Sequence, residues 1–178
     1  MSVKFSAVLL AAACLAIACP AMPAENWQQY RFNNAGFSAH FPGRPKISNR
    51  VYLSSQAAGG RRLTERVYSS NEGGVIYSVG IVDFSNPAAN PDAAVDEVTG
   101  ALTALGELIF DTSCYVDQMH GREIIVRGAD GTTRTDAIFW IKNHLYQIEV
   151  VYPQKNTDPA GSSGIGLFLA KFHFLDPY

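Results

Sequence analysis

The chain has 178 residues, with 14 lysines and arginines against 16 acidic residues and a formal net charge of −2 at pH 7. This balance argues against nucleic acid as a partner and provides no attraction to anionic lipid, because both are bound mainly through excess positive charge. A chain of this length forms one domain and buries enough surface to fold without disulfide bonds.

The first 24 residues have the pattern of a secretory signal peptide. One positive charge, Lys4, precedes the unbroken apolar run Ala7–Ile17, and small residues and prolines follow up to Ala24. The apolar run is too short to span a bilayer core, which needs roughly 20 residues. We therefore predict a leader over residues 1–24, a single domain over residues 25–178, and a periplasmic or secreted protein.

A second cleavage point lies after Ala18, because Ala16-Ile17-Ala18 is also an A-x-A triplet. Cys19 follows it, so the alternative is a lipoprotein anchored through Cys19, although a lipobox usually has a larger aliphatic residue where Ala16 stands. Membrane association is expected only in that case. Cleavage after Ala24 leaves 13 basic against 16 acidic residues, a net charge of −3, and leaves Cys114 without a disulfide partner.

The first part of the mature chain is predicted to form strands followed by a helix. The strand predictions cover Trp27–Phe32, Phe37–Phe41, Ile47–Leu53, Leu63–Ser69 and Val75–Asp83. Asn90-Pro91-Asp92 has the pattern of a helix start, because Asn caps, Pro fits the first helical position and Asp faces the positive end of the helix dipole. Gly106 is the predicted stop of this helix.

The second part is predicted to form four strands and a second helix. The strands are Asp111–Met119, Gly121–Arg127, Thr133–Ile141 and His144–Tyr152, with turns at His120-Gly121, Asp130-Gly131 and Lys142-Asn143. Gly161–Phe172 is the second helix, and Phe174 and Leu175 form a terminal strand or tail. This order predicts an α+β fold, an antiparallel β-sheet with two helices packed on it. The aromatic residues Tyr30, Phe32, Phe37 and Phe41 are expected to fill the core between sheet and helix.

Three segments resemble PsbP-like domains, of the PsbP-like and DcrB-like superfamily. Gly36–Pro42 is similar to their G-F-x-x-x-x-P opening, Asp130–Ile148 to their late hairpin, and Phe168–Phe174 to their closing helix and tail, with Lys171 where a serine is common. The order of elements also matches across nearly the whole mature chain. The resemblance implies an α/β/α-type sandwich around an antiparallel sheet, often in secreted or lumenal non-enzymatic proteins. Some of these attach to membrane complexes, and others are uncharacterised envelope proteins. It carries over no binding residue.

Cys114 and His120 are the first pair to consider for catalysis. A thiol nucleophile needs a base within hydrogen-bond reach, and six residues of extended strand separate two side chains by about 20 Å unless the chain turns back. We therefore expect a buried, inert thiol and no catalytic residue. A thiol enzyme that uses Cys114 is the less favoured alternative.

No metal, phosphate or cofactor site is predicted. The histidines His40, His120, His144 and His173 are scattered and lack the spacing of metal ligands. The glycine-rich segment Gly161–Gly166 lacks both the G-x-G-x-x-G spacing and the preceding βαβ unit of a nucleotide site, so a loop and helix cap are expected.

Basic residues are concentrated in the N-terminal half, at Arg44, Lys46, Arg50, Arg61, Arg62 and Arg66. Basic side chains on edge strands commonly block unwanted strand pairing, and the alternative is contact with an acidic partner. We predict a non-catalytic domain that binds another envelope protein or complex through Arg61, Arg62 and Arg66. The alternative is a carrier of a small molecule or lipid, with a cleft between sheet and helix.

Overall fold

A computed structural model describes residues 27–55, 62–85, 89–154 and 168–175. Its elements are, in chain order, β1 Gln28–Phe32, β2 Phe37–Phe41, β3 Lys46–Leu53, β4 Arg62–Glu72, β5 Val75–Asp83, α1 Pro91–Thr103, β6 Gly106–Val116, β7 Met119–Gly128, β8 Thr132–Ile141, β9 His144–Pro153 and β10 His173–Phe174. No helix in these ranges is both long and apolar enough to cross a bilayer.

Seven of the strands form one antiparallel sheet in the spatial order β3-β4-β5-β9-β8-β7-β6. The meander β3-β4-β5 forms one part and the meander β6-β7-β8-β9 the other, and the pairing of β5 with β9 joins them. Strands β3 and β6 are therefore the two edges. Strand β5 lies inside the sheet and is buried along most of its length, as its apolar residues on both faces predict.

The two faces of this sheet are covered by different layers, because side chains alternate between the faces along each strand. On one face, α1 packs through Ala94, Val98 and Leu102 against β6, β7 and β8. On the other face lies a three-stranded sheet, β1-β2-β10, with Phe37 and Phe41 fully buried beneath it. The α+β class fits this arrangement, but the fold is richer in strands than predicted, because a small sheet covers the face opposite α1.

The predicted second helix, Gly161–Phe172, lies mostly outside the described residues, and within them residues 168–170 are helical. Phe168 and Phe172 add their rings to the core beneath the three-stranded sheet. The aromatic residues of β1 and β2 lie in this same core, on the face opposite α1. Phe41 packs on the helical residue Phe168 with ring centroids 5.1 Å apart, and Phe37 packs on Phe172 at 5.4 Å.

Helix α1 begins as predicted and ends earlier than predicted. The Asn90 side chain accepts a hydrogen bond from the Ala93 amide at 3.2 Å, and Pro91 is the first helical residue. The helix ends at Thr103, and Gly106 is the first residue of β6 rather than a helix stop. Gly106 is needed for strand pairing, because a Cβ there would lie 2.0 Å from the Arg127 carbonyl oxygen.

The predicted turn at His120-Gly121 is wrong, because the chain reverses earlier, at Asp117-Gln118. These two residues have φ values of 48° and 67°, and Val116 pairs directly with Met119. Neither residue is glycine, so the turn conformation is costly in isolation. Asp117 offsets this cost through a contact far along the chain, since its Oδ2 accepts a hydrogen bond from the Phe174 amide at 2.8 Å.

Candidate functional site

The predicted contact residues Arg62 and Arg66 lie on β4, beside the edge strand β3, and Arg61 lies outside the described residues. Because Arg62 and Arg66 are four residues apart on one strand, their side chains project from the same face. Arg62 lies opposite Leu53 in the antiparallel register. Two of the three predicted contact arginines therefore lie on one surface of the sheet.

Three apolar side chains of β3 share this surface. Ile47, Val51 and Leu53 alternate along the strand on the same face, and they are 53%, 54% and 68% exposed. Side chains of this kind are normally buried, so an exposed row beside two arginines is a candidate contact surface. We call these five residues the β3–β4 patch: Ile47, Val51, Leu53, Arg62 and Arg66.

The arginines of the β3–β4 patch form no ion pair within the described ranges. The Arg66 guanidinium lies 6.0 Å from the ring centroid of Tyr68, the outer limit of a cation–π contact. By contrast, Arg50 projects from the other face of β3 and is bound there by Glu65. Arg50 therefore forms an ion pair within the protein, whereas the side chains of Arg62 and Arg66 are exposed and face outward.

A cleft of about 400 Å³ adjoins the β3–β4 patch at Arg66. It lies between the end of the three-stranded sheet and strands β4, β5, β8 and β9, and Lys142 and His144 also line it. Asp83 is the acidic residue among its described lining residues. Apart from Arg66, the described charged side chains that line the cleft are therefore the cation Lys142 and the carboxylate Asp83.

A second cleft, of about 540 Å³, lies between the N-terminal half of α1 and strands β6, β7 and β8. We call it the helix–sheet cleft. Arg122 spans it, because its Nη1 donates to Asp96 Oδ1 on α1 at 2.7 Å and its Nε and Nη2 donate to the Asp111 carboxylate at 2.8 Å. The hydrogen bonds from Arg122 lower the pKa of Asp111. The carrier hypothesis requires a cleft of this kind between sheet and helix.

Cys114 and His120 lie on neighbouring strands but on opposite faces of the sheet. The turn at Asp117-Gln118 brings them closer than a continuous strand would, since Cys114 pairs with Gly121 and Tyr115 with His120. Cys114 packs against the core beneath the three-stranded sheet, whereas His120 lines the helix–sheet cleft. Burial, with a contribution from Glu123, raises the pKa of the Cys114 thiol to about 11. This geometry provides the thiol with no histidine base.

The four histidines remain apart in the described part of the chain. His144 Nδ1 lies 2.9 Å from the Lys142 carbonyl, and His173 Nδ1 lies 3.1 Å from Asp117 Oδ1. His40 Nδ1 is buried without a hydrogen bond. No three histidine, cysteine or acidic side chains among the described residues are arranged to hold a metal ion.

Sequence reasoning missed a cluster of buried carboxylates on the α1 face of the sheet. We call Glu65, Asp136 and Glu149 the acid cluster, and all three are buried. Asp136 lies directly opposite Glu149 in the β8–β9 register. Arg50 binds Glu65 and Arg134 binds Glu149. Gly80 leaves space for the Arg50–Glu65 ion pair, because a Cβ at residue 80 would lie 2.0 Å from Glu65 Oε1.

Asp136 is the least compensated member of the acid cluster. Its side chain has no exposed surface, its Oδ1 accepts from Gln147 Nε2 at 2.6 Å, and its Oδ2 has no hydrogen-bond partner. Burial, followed by the charge of Glu149, raises the pKa of Asp136 to about 7. The register could have revealed this pair, because the Lys142-Asn143 turn places residues 136 and 149 opposite each other.

The comparisons with known proteins give a fold. No family model matches the chain, and a search of curated proteins finds no match. Among solved structures, the chain is similar to the solution structure of cyanobacterial PsbP (CyanoP) from Synechocystis sp. PCC 6803. The two share 14% sequence identity over 88% of this chain and 97% of that chain, with a TM-score of 0.53. At this identity the likeness shows the fold alone, and the chain therefore has a PsbP-like fold.

Proposed function

We propose that this protein is a non-catalytic domain that binds an acidic surface of another envelope protein through the β3–β4 patch. The observation that carries the proposal is the row Ile47, Val51 and Leu53, each more than half exposed, beside the outward-facing arginines Arg62 and Arg66. Apolar contacts provide the free energy of such an interface, and complementary charges provide orientation and a faster association.

The partner is expected to be acidic because cations predominate around the patch. Arg62 and Arg66 lie on the patch, and Lys142 lines the adjoining cleft with Asp83 as its acidic residue. The protein as a whole has a formal net charge of −2, so this local excess of positive charge runs against the overall balance. A localised basic surface on an acidic protein favours a protein partner of opposite local charge over a general polyanion.

Export belongs to the same proposal, and it rests on the sequence of residues 1–24. The intact mass of the protein from cells tests it, because cleavage after Ala24, cleavage after Ala18 and lipid on Cys19 give three different masses. We expect the mass of a chain that starts at Glu25. A mass that includes residues 1–24 would contradict export.

The binding proposal is tested by native mass spectrometry of the complex purified gently from the envelope fraction. The variant R62E/R66E reverses both charges of the patch, and R31E/K171E reverses two exposed charges elsewhere as its matched control. We expect the wild type and the control to retain a second polypeptide and R62E/R66E to lose it. The retained fraction should also fall as salt is raised, because exposed charges are screened. Retention by R62E/R66E at wild-type level would overturn the proposal.

A carrier of a small molecule is the second candidate, and the helix–sheet cleft is the observation that favours it. The cleft has the volume of a small-molecule pocket, and Trp140 and Ile138 form part of its lining. A small-molecule adduct in the same mass spectra, with no second polypeptide, would support this candidate over the first.

A further inference from the structure

The helix–sheet cleft combines an apolar floor with a charged rim. Ile138 and Trp140 of β8 and Val95 of α1 form the floor. The volume of about 540 Å³ lies within the range of pockets that hold small organic molecules, roughly 300–1,000 Å³. Such a floor accepts any nonpolar body of suitable size, so the rim determines the charge of the ligand.

Acidic groups outnumber basic groups on the rim. The lining contains the three carboxylates Asp92, Asp96 and Asp111 and the single guanidinium of Arg122, which leaves a net charge of −2 with His120 neutral. A protonated His120 would still leave the rim negative. Asp92 lies in the first turn of α1, where the helix dipole offsets part of its charge, and it forms no ion pair among the described residues.

The guanidinium of Arg122 is already paired with carboxylates. Its Nε, Nη1 and Nη2 each donate to Asp96 or Asp111 at 2.7 to 2.8 Å, so an anion at its two remaining N–H groups would also be repelled by those carboxylates. A cation is attracted by the excess of rim carboxylates, and Trp140, the aromatic residue type that binds cations best, also lines the cleft.

We propose that the helix–sheet cleft binds a small organic cation, an amine on an aromatic or aliphatic body. The body contacts Trp140 and Ile138, and the carboxylates of Asp92, Asp96 and Asp111 attract the amine. The cleft lies at the β6 end of the sheet on the α1 face, whereas the β3–β4 patch lies at the other end on the opposite face. The two sites are therefore independent, and each can fail without the other.

The test follows the indole N–H signals of the ¹⁵N-labelled protein by nuclear magnetic resonance, with phenethylamine as the probe. The chain has two tryptophans, and W27F assigns their signals. Trp27 lies in the core on the other face and serves as an internal control. We expect phenethylamine to shift the Trp140 signal saturably and to leave Trp27 unchanged. N-acetylphenethylamine, which lacks the charge, and 3-phenylpropionate, which reverses it, should bind at least about tenfold more weakly.

Two variants separate the acidic rim from the overall charge. D92N removes a rim carboxylate without breaking the Arg122 contacts, and we expect it to weaken phenethylamine binding about twofold to fivefold. E72Q makes the same charge change at the exposed end of β4 and should bind like the wild type, as should R62E/R66E. Equal affinity for all three probes, or tighter binding of 3-phenylpropionate, would overturn the proposal. Tighter binding of N-acetyl-lysine methylamide than of phenethylamine would also overturn it, by assigning the cleft to a lysine of a partner protein.

Discussion

The buried carboxyl group of Asp136 makes the folding stability of this protein depend on pH. Its pKa lies at about 7 because the side chain is buried and Glu149 faces it across the β8–β9 pair. An ionised Asp136 would place a second negative charge beside Glu149 without a basic partner of its own, so the folded protein holds the proton up to about pH 7. The unfolded chain binds that proton only below the ordinary aspartate pKa of about 3.9.

The first prediction is that D136N is more stable than the wild type at pH 8 and not at pH 3. Both states of the wild type hold the proton at pH 3, so Asp136 then resembles asparagine. As the pH rises from about 4 to about 7, the unfolded state ionises first and the wild type loses stability relative to D136N. Urea unfolding at both pH values should show a difference of at least about 1 kcal/mol at pH 8.

The control for this prediction is E72Q, which removes an exposed carboxylate at the end of β4. Its stability relative to the wild type should not change with pH in the same way. Parallel pH profiles for D136N and the wild type would show that Asp136 is ionised in the folded protein.

The second prediction concerns Cys114. A pKa of about 11 leaves little thiolate at pH 8, and the half-buried side chain limits access further. Iodoacetamide should therefore label the folded protein about 100-fold more slowly than the protein in urea. The wild type cleaved after Ala24 has no other cysteine, so mass spectrometry reads the label directly. Equal rates in both states would return the thiol-enzyme hypothesis to consideration.

Asp117 links two elements that are far apart in the sequence. It forms the turn between β6 and β7, and its carboxylate binds the Phe174 amide and lies 3.1 Å from His173 Nδ1. Strand β10 has only two residues, paired with Ser38 and Phe37 of β2. A strand this short depends on such additional contacts to stay in place.

The third prediction is that D117G releases β10 and preserves the β6–β7 hairpin. Glycine adopts the positive φ of the turn without strain, so the substitution removes the carboxylate and keeps the turn. Hydrogen exchange should become faster at Phe174 and remain unchanged at Met119. Faster exchange at both would mean that the carboxylate holds the hairpin itself. Unchanged exchange at Phe174 would show that β10 does not depend on this contact.

The elements that sequence predicts well are those whose signals are local. Strand β5 has apolar residues on both of its faces, and its predicted bounds agree with the structure. The predicted two-residue turn at Lys142-Asn143 is also present. Sequence reasoning missed the turn at Asp117-Gln118 because the distant amide of Phe174 stabilises it. It missed the start of β6 at Gly106 because the neighbouring backbone at Arg127 requires a glycine there. The second covering layer was missed for the same reason, since β10 joins β2 across almost the whole chain.

The β3–β4 patch was half predictable. Arg62 and Arg66 stand out in the sequence as basic residues, but their apolar neighbours on β3 are identified only by the strand register. The same register explains why Arg50, equally basic in the sequence, points to the other face and pairs with Glu65. The sequence thus shows which residues are charged, but the face of the sheet determines whether a charged side chain is paired within the protein or exposed to a partner.

At the scale of the whole molecule, the two edges of the seven-stranded sheet are both long and both expose apolar side chains. On β6, Leu108, Ile109 and Phe110 are each more than two-fifths exposed. The charges beside them are satisfied within the protein, because Glu107 pairs with Arg127 and Asp111 with Arg122. Only at the other edge do the described residues combine exposed apolar side chains with outward-facing arginines, so the β3 edge is the one that suits an acidic partner.

The last prediction compares these two edges directly. V51S/L53S and L108S/F110S each replace two exposed apolar side chains of an edge strand, so neither should shift the Tm by more than about 4 °C. V51S/L53S should lose the envelope partner in native mass spectrometry, whereas L108S/F110S should retain it, because the apolar row of β3 supplies the binding free energy. Loss of the partner in L108S/F110S alone would move the interface to β6. Loss in neither variant would mean that the arginines act without an apolar contact.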